Sequence, residues 1–248
     1  HFLEHKVFAE KKDPQPMEFF AKSGSICNAY TTFRNTTYLF YATKDLKENI
    51  EYLLNYVQNI YLTEESVEKE KGIISEEIHM YEDRPTEVLF EKVRLNTLKS
   101  NPYRNSIIGT TDDIKSITKE DLETCYHTFY NPSNMFMVVT GSFNPEEIMS
   151  LIRENQSKKV FKTEESIKVK EFKEEDKVVK EKEIIHLNTN IPKVAYTLKI
   201  PLKNIKLTRR ELHLYIYILF TTLFDETSSF DEENKKNGII NNTTYVSL

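Results

Sequence analysis

His1-Phe2-Leu3-Glu4-His5 opens the chain, two histidines four apart with a glutamate between them. An α-helix turns once in about 3.6 residues, so side chains at i and i+4 stand over one another on one face. Two imidazoles placed in that way can grip one metal ion. Glu4 borders the same face and can reach a metal-bound water rather than the metal itself, which makes it a candidate general base. A solvated, charged helix end is the plainer interpretation of the same five residues, and the pattern alone leaves it open.

A zinc site of this kind needs a third protein ligand, and residues 64 to 82 offer one. Val67, Ile74, Ile78 and Tyr81 repeat at helical spacing and define one apolar stripe. At about 100° per residue, Glu70 and Glu77 fall about 40 to 60° from the centre of that stripe, whereas Glu76 points almost the opposite way. A carboxylate turned toward a packed core is costly unless a metal or a paired donor compensates it. Zinc held by His1, His5 and Glu77, with Glu70 one layer out orienting a ligand, meets that demand. An acidic strip along an exposed helix is the alternative. The opening motif also reverses the commoner His-Glu-x-x-His order, as the inverzincin peptidases do.

Joined to Glu70-Lys71-Gly72-Ile73-Ile74-Ser75-Glu76-Glu77-Ile78, the opening motif resembles the insulinase/pitrilysin family of zinc peptidases. Asn28-Ala29-Tyr30-Thr31 is similar to the strand along which that family pairs substrate backbone. Glu76 through Pro85 resembles the end of the zinc helix in bacterial, processing-peptidase-like members. Gly109-Thr110, Ile114 to Thr118, Tyr130 to Met135 and Gly141 carry the likeness through nearly all of residues 1 to 155.

The resemblance implies an α+β fold built of repeated α/β-sandwich domains, each an antiparallel sheet with helices on one face. It implies one zinc ion per chain on His1, His5 and Glu77, with Glu4 and Glu70 serving the catalysis. It implies a peptide substrate along Asn28, Ala29 and Tyr30, and a homo- or hetero-dimer in which a second family subunit closes a chamber. The expected activity is that of a zinc-dependent metalloendopeptidase on extended or unfolded peptides. Because some family members are catalytically silent structural or substrate-holding subunits, that role is the alternative.

The bulk properties agree. With 248 residues and 39% hydrophobic content, the chain can build one large or two medium cores. A net charge of −5, with Lys and Arg scattered among acids, argues against nucleic-acid and anionic-membrane partners. Cys27 and Cys125 lack metal-ligand spacing and read as small buried hydrophobes in a reducing compartment. Leu214 to Phe224 is the longest apolar run, too short to span a bilayer, and reads as a buried helix. A ligand at residue 1 and a strand-like end at Leu248 suggest a fragment, for which a cytoplasmic location is the expectation.

Capping and periodicity place helices at 17 to 21, 44 to 61 and 64 to 82, another after Pro85, one capped by Thr118 with Asp121, and one begun by Asn144-Pro145. Ile26 to Phe33 and Thr36 to Ala42 form a hairpin, Met135 to Thr140 a buried strand, Val194 to Ile200 a strand, and Thr208 to Phe224 a helix. Residues 1–155 are thus assigned to a metal-binding catalytic domain and 156–183 to a charged linker or edge hairpin. Residues 184–248 begin a second, metal-free domain, since Asn237 to Tyr245 echoes Ser23 to Thr31.

Overall fold

Thr63 sets the start of the helix on which the molecule is organised. Its hydroxyl accepts the Ser66 amide at 3.1 Å and its own amide donates to Ser66 Oγ at 3.2 Å, a reciprocal cap that frees α4 (Glu64–Glu82) to run through nineteen residues. The computed structural model describes residues 1–8, 15–161, 167–203 and 205–241. Within them the fold is α+β, in two compact units, His1–Lys199 and Ile200–Leu248.

In the first unit, Val67, Ile74 and Ile78 of α4 are buried against Phe2, Leu3 and Val7 of α1 (Phe2–Phe8) and Leu122 and Tyr126 of α7 (Lys119–Phe129). Burial of side chains of this size contributes about 1.5 to 3 kcal/mol each, which fixes α1 against α4. The hairpin β1 (Ile26–Thr31) and β2 (Thr36–Tyr41) pairs antiparallel from Ile26↔Tyr41 to Thr31↔Thr36. Its loop closes through the Thr32 amide donating to the Asn35 carbonyl at 2.8 Å. Along β1, Cys27, Ala29 and Thr31 are half-buried while Ile26, Asn28 and Tyr30 are exposed, the alternation a pleat demands. α2 (Pro16–Lys22) and α3 (Leu46–Val57) pack through Phe19 stacked on Tyr52, ring centroids 3.8 Å apart. α5 (Pro85–Thr97), α6 (Thr111–Ser116) and α8 (Pro145–Ser157) complete the unit, α8 capped by Asn144 as the sequence requires.

The charged stretch is held more firmly than its composition suggests. The Glu174 carboxylate accepts the backbone N–H groups of Lys99, Ser100 and Asn101 at 2.8, 2.8 and 2.7 Å and the Lys199 ammonium at 2.8 Å. Beside it, Val179 and Lys180 donate their amides to the Asn96 carbonyl at 2.7 and 3.1 Å. These bonds tie residues 174–180 to the end of α5 and the residues that follow it.

Some expectations are corrected. Met135 to Thr140 and Val194 to Ile200 have no ladder partner among the described residues, and Phe136 and Tyr196 are 89% and 97% exposed. Their alternation marks chain able to pair, but a strand exists only where another lies alongside. In the second unit, α9 (Arg209–Phe224) forms behind the Thr208 and Glu211 capping box, yet none of its residues is buried, and Phe224 packs edge-on against Phe230 of α10 (Ser229–Lys236). Cys125 is exposed rather than buried. Of the segment that echoes Ser23 to Thr31, residues 242–245 lie outside the described residues.

Candidate metal centre

α1 buries Phe2, Leu3, Lys6 and Val7 and thereby turns His1, Glu4 and His5 to the margin of the core. The two imidazoles meet edge to face, centroids 4.6 Å apart. α4 presents Glu77 to them from the position directly before its buried Ile78. Glu77 Oε2 stands 3.7 Å from His1 Nε2 and 3.4 Å from His5 Nε2. All three donor atoms lie within 4.8 Å of one another, and this is the one such group of His, Cys, Asp or Glu among the described residues.

The donor set fits zinc on geometry. Tetrahedral ligands about 2.0 to 2.1 Å from a shared ion stand roughly 3.4 Å apart, close to the 3.4 and 3.7 Å that separate the carboxylate from the two rings. Two neutral nitrogens and one carboxylate, leaving a fourth position open, are also the composition of catalytic rather than closed structural zinc sites.

Glu70 lies behind this group at 6% exposure, its Oε1 3.0 Å from His5 Nδ1. That bond commits Nδ1 as the donor and leaves Nε2 to face Glu77. The hydrogen bond to Glu70, opposed by burial and reinforced by the charges of Glu70, Glu77 and Glu4, holds the His5 pKa above its ordinary value. Glu4 Oε2 accepts the Thr31 hydroxyl at 2.6 Å, so one carboxylate oxygen is anchored to β1 and the other has no hydrogen bond among the described residues.

The structure therefore brings His1, His5, Glu77, Glu70 and Glu4 to one place. Asn28 and Tyr30 are exposed on β1 and Ala29 is half-buried between them. The edge of β1 that does not face β2 pairs with no strand among the described residues. Two neighbours escape sequence reasoning. Lys6 is buried with its Nζ 3.9 Å from Glu70 Oε2 and donating to the Ser66 carbonyl at 3.4 Å. The buried 2-3-6-7 pattern of α1 was the available signal for it. Thr31 carried none, because its contact with Glu4 exists only once the hairpin has folded. His79 and His127 are exposed and away from the cluster, His79 pairing with Glu82 at 3.0 Å.

Fold and donor set together place two histidines and a glutamate at metal-ligand spacing on an α+β frame. The chain belongs to the insulinase family, peptidase family M16: residues 1–111 match the insulinase family model and residues 116–243 the peptidase M16 inactive domain. It is 42% identical to the uncharacterized zinc protease YmfH of Bacillus subtilis over 98% of this chain and 57% of that protein. It is 30% identical to the human mitochondrial-processing peptidase subunit beta over 62% of this chain and 32% of that protein. The crystal structure of an M16-like peptidase from Alicyclobacillus acidocaldarius superposes with a TM-score of 0.86 at 35% identity, over 98% of this chain and 57% of that one. The chain thus spans 57% of the length of both the Bacillus subtilis and the Alicyclobacillus acidocaldarius relatives.

Proposed function

We propose that this chain is the zinc-bearing part of a metalloendopeptidase that hydrolyses extended or unfolded peptides. The observation that carries the reading is the convergence of His1, His5 and Glu77 at ligand spacing, with Glu70 on the far nitrogen of His5 and Glu4, directly before His5, held by Thr31. One zinc ion per chain would be held by His1, His5 and Glu77. When bound, it supplies polarisation of a scissile carbonyl and acidification of a water molecule.

The chain's own residues account for the rest. Glu70 fixes the His5 ring so that Nε2 faces the shared point, and Lys6 offsets part of the negative charge gathered there. Glu4 accepts the proton of the attacking water at its free Oε1 and passes it to the nitrogen of the leaving amine. The open edge of β1 along Asn28, Ala29 and Tyr30 takes the substrate as an added strand, and pairing through backbone atoms gives broad sequence tolerance. Residues 1–155 form the metal-binding domain in this reading, and residues 184–248 start a metal-free one. A second family subunit, identical or related, closes the working chamber; the name of one relative, a subunit beta, supports this.

The match of residues 116–243 to an inactive domain favours a second reading, a silent substrate-holding subunit. Metal content and cleavage of a quenched peptide by the natural-length protein separate the two, with Glu4→Gln as control. The peptidase reading expects one zinc per chain in both proteins and cleavage in the wild type alone. Equal cleavage by both removes Glu4 from its role, and zinc retention without cleavage in either favours the silent subunit.

A further inference from the structure

Glu4 stands at the end of a run of hydroxyl groups. Thr31 Oγ1 donates to Glu4 Oε2 at 2.6 Å, and Thr36 Oγ1, its partner across the hairpin, lies 3.2 Å from Thr31 Oγ1. Each hydroxyl carries one proton. Because the terminal carboxylate only accepts, the direction of both bonds follows: Thr31 gives its proton to Glu4, and Thr36 gives its own to Thr31. Aligned bonds of this kind polarise one another and strengthen the last link, the one on the carboxylate.

We propose that Thr31 is a positioning residue for Glu4, the last member of a short hydroxyl relay from Thr36 that clamps one carboxylate oxygen and presents the other to the attacking water. The proposal rests on the peptidase reading of the site. It adds a coupling that reading lacks. Thr31 follows Asn28, Ala29 and Tyr30 directly on β1, so the strand that takes up the peptide also holds the base. A peptide seated on β1 stiffens the register of that strand, and the Oγ1 of Thr31 then fixes Glu4 at the distance proton transfer needs. Loss of one charge-assisted hydrogen bond here should appear in turnover and spare binding, because it alters where Glu4 points rather than what β1 pairs with.

The test compares Thr31→Val, Thr31→Ser and Thr36→Val with the wild type and Glu4→Gln, in the zinc-loaded natural-length protein on a quenched peptide. Thr31→Val should lower kcat about ten- to a hundredfold with KM within about twofold and zinc content unchanged. Thr31→Ser should restore kcat to within about threefold of wild type, and Thr36→Val should cost about three- to tenfold. A crystal structure of Thr31→Val should show the Glu4 carboxylate rotated off its wild-type orientation. The proposal is overturned if Thr31→Val turns over as the wild type does, if Thr31→Ser is as impaired as Thr31→Val, or if Glu4 keeps its orientation in the valine variant. Should Thr31→Val fail to fold, Thr36→Val decides: wild-type turnover in it overturns the relay. If wild type and Glu4→Gln cleave alike, the peptidase reading fails; if they differ while Thr31→Val matches wild type, only the positioning role fails.

Discussion

Glu70 and His5 are separated by 65 positions in the chain and meet at 3.0 Å, carboxylate oxygen against Nδ1, at the seam between α4 and α1. The same helix that supplies the carboxylate beside both imidazoles thus also supplies the group that aims one of them.

Glu70→Gln should leave the fold intact and weaken zinc binding about tenfold, at the lower end of what loss of an outer hydrogen-bonding partner costs, since the amide keeps an acceptor oxygen. Competitive titration against a fluorescent chelator measures this. Unchanged affinity would mean that the His5 ring is oriented by packing alone.

Gly72 lies inside α4 with open space where a Cβ would project and a backbone that any residue adopts. Gly72→Ala should raise stability by about 0.5 to 1 kcal/mol, because glycine gives up more freedom than alanine on entering a helix. Urea denaturation reads the gain, and zinc content should not move.

Ile74 is wholly buried between the turns that carry Glu70 and Glu77. Ile74→Ala should cost about 2 to 5 kcal/mol through the cavity it leaves. Because the ligand carboxylate is fixed by the same packing, zinc affinity should fall with stability. A destabilised variant that binds zinc as tightly as wild type would show the two to be independent.

Glu174 is pulled down to a pKa of about 2 by the Lys199 ammonium first and the backbone donors of residues 99 to 101 after it, from an ordinary 4.5. A depressed carboxylate stabilises its folded surroundings at every pH above the unfolded value, and the contribution fades as pH falls through the window from 4.5 to about 2. The amide resonances of Lys99, Ser100 and Asn101 should therefore titrate together near the bottom of that window. A midpoint near 4.5, or no change on Glu174→Gln, would release the segment from this attachment.

What could be read in advance was local. The reach of α4 followed from its apolar stripe, α7 from Thr118 and Asp121, α8 from Asn144-Pro145, and the hairpin from alternation around Arg34-Asn35; the structure forms all four. The cluster of His1, His5, Glu70 and Glu77 was legible for the same reason, since helical spacing fixes which face a side chain shares. Features that depend on distant chain were not. Met135 to Thr140 has the pattern of a strand but finds no partner among the described residues, and α9 has the composition of a core helix but remains uncovered there. Glu174 sat in a run of lysines and glutamates that composition marks as solvated, and only the free amides at the end of α5 give it a destination.

The pleat of β1 has a consequence for how this hairpin can change over time. The exposed side chains of Asn28 and Tyr30 and the half-buried ones of Ala29 and Thr31 fall on alternate positions of a single short ribbon, so a lone insertion or deletion between Asn28 and Thr31 would exchange the two sets and turn Thr31 away from Glu4. Length variation should therefore collect in the turn at residues 32–35, where an added residue alters neither parity, and should be absent from the ribbon itself.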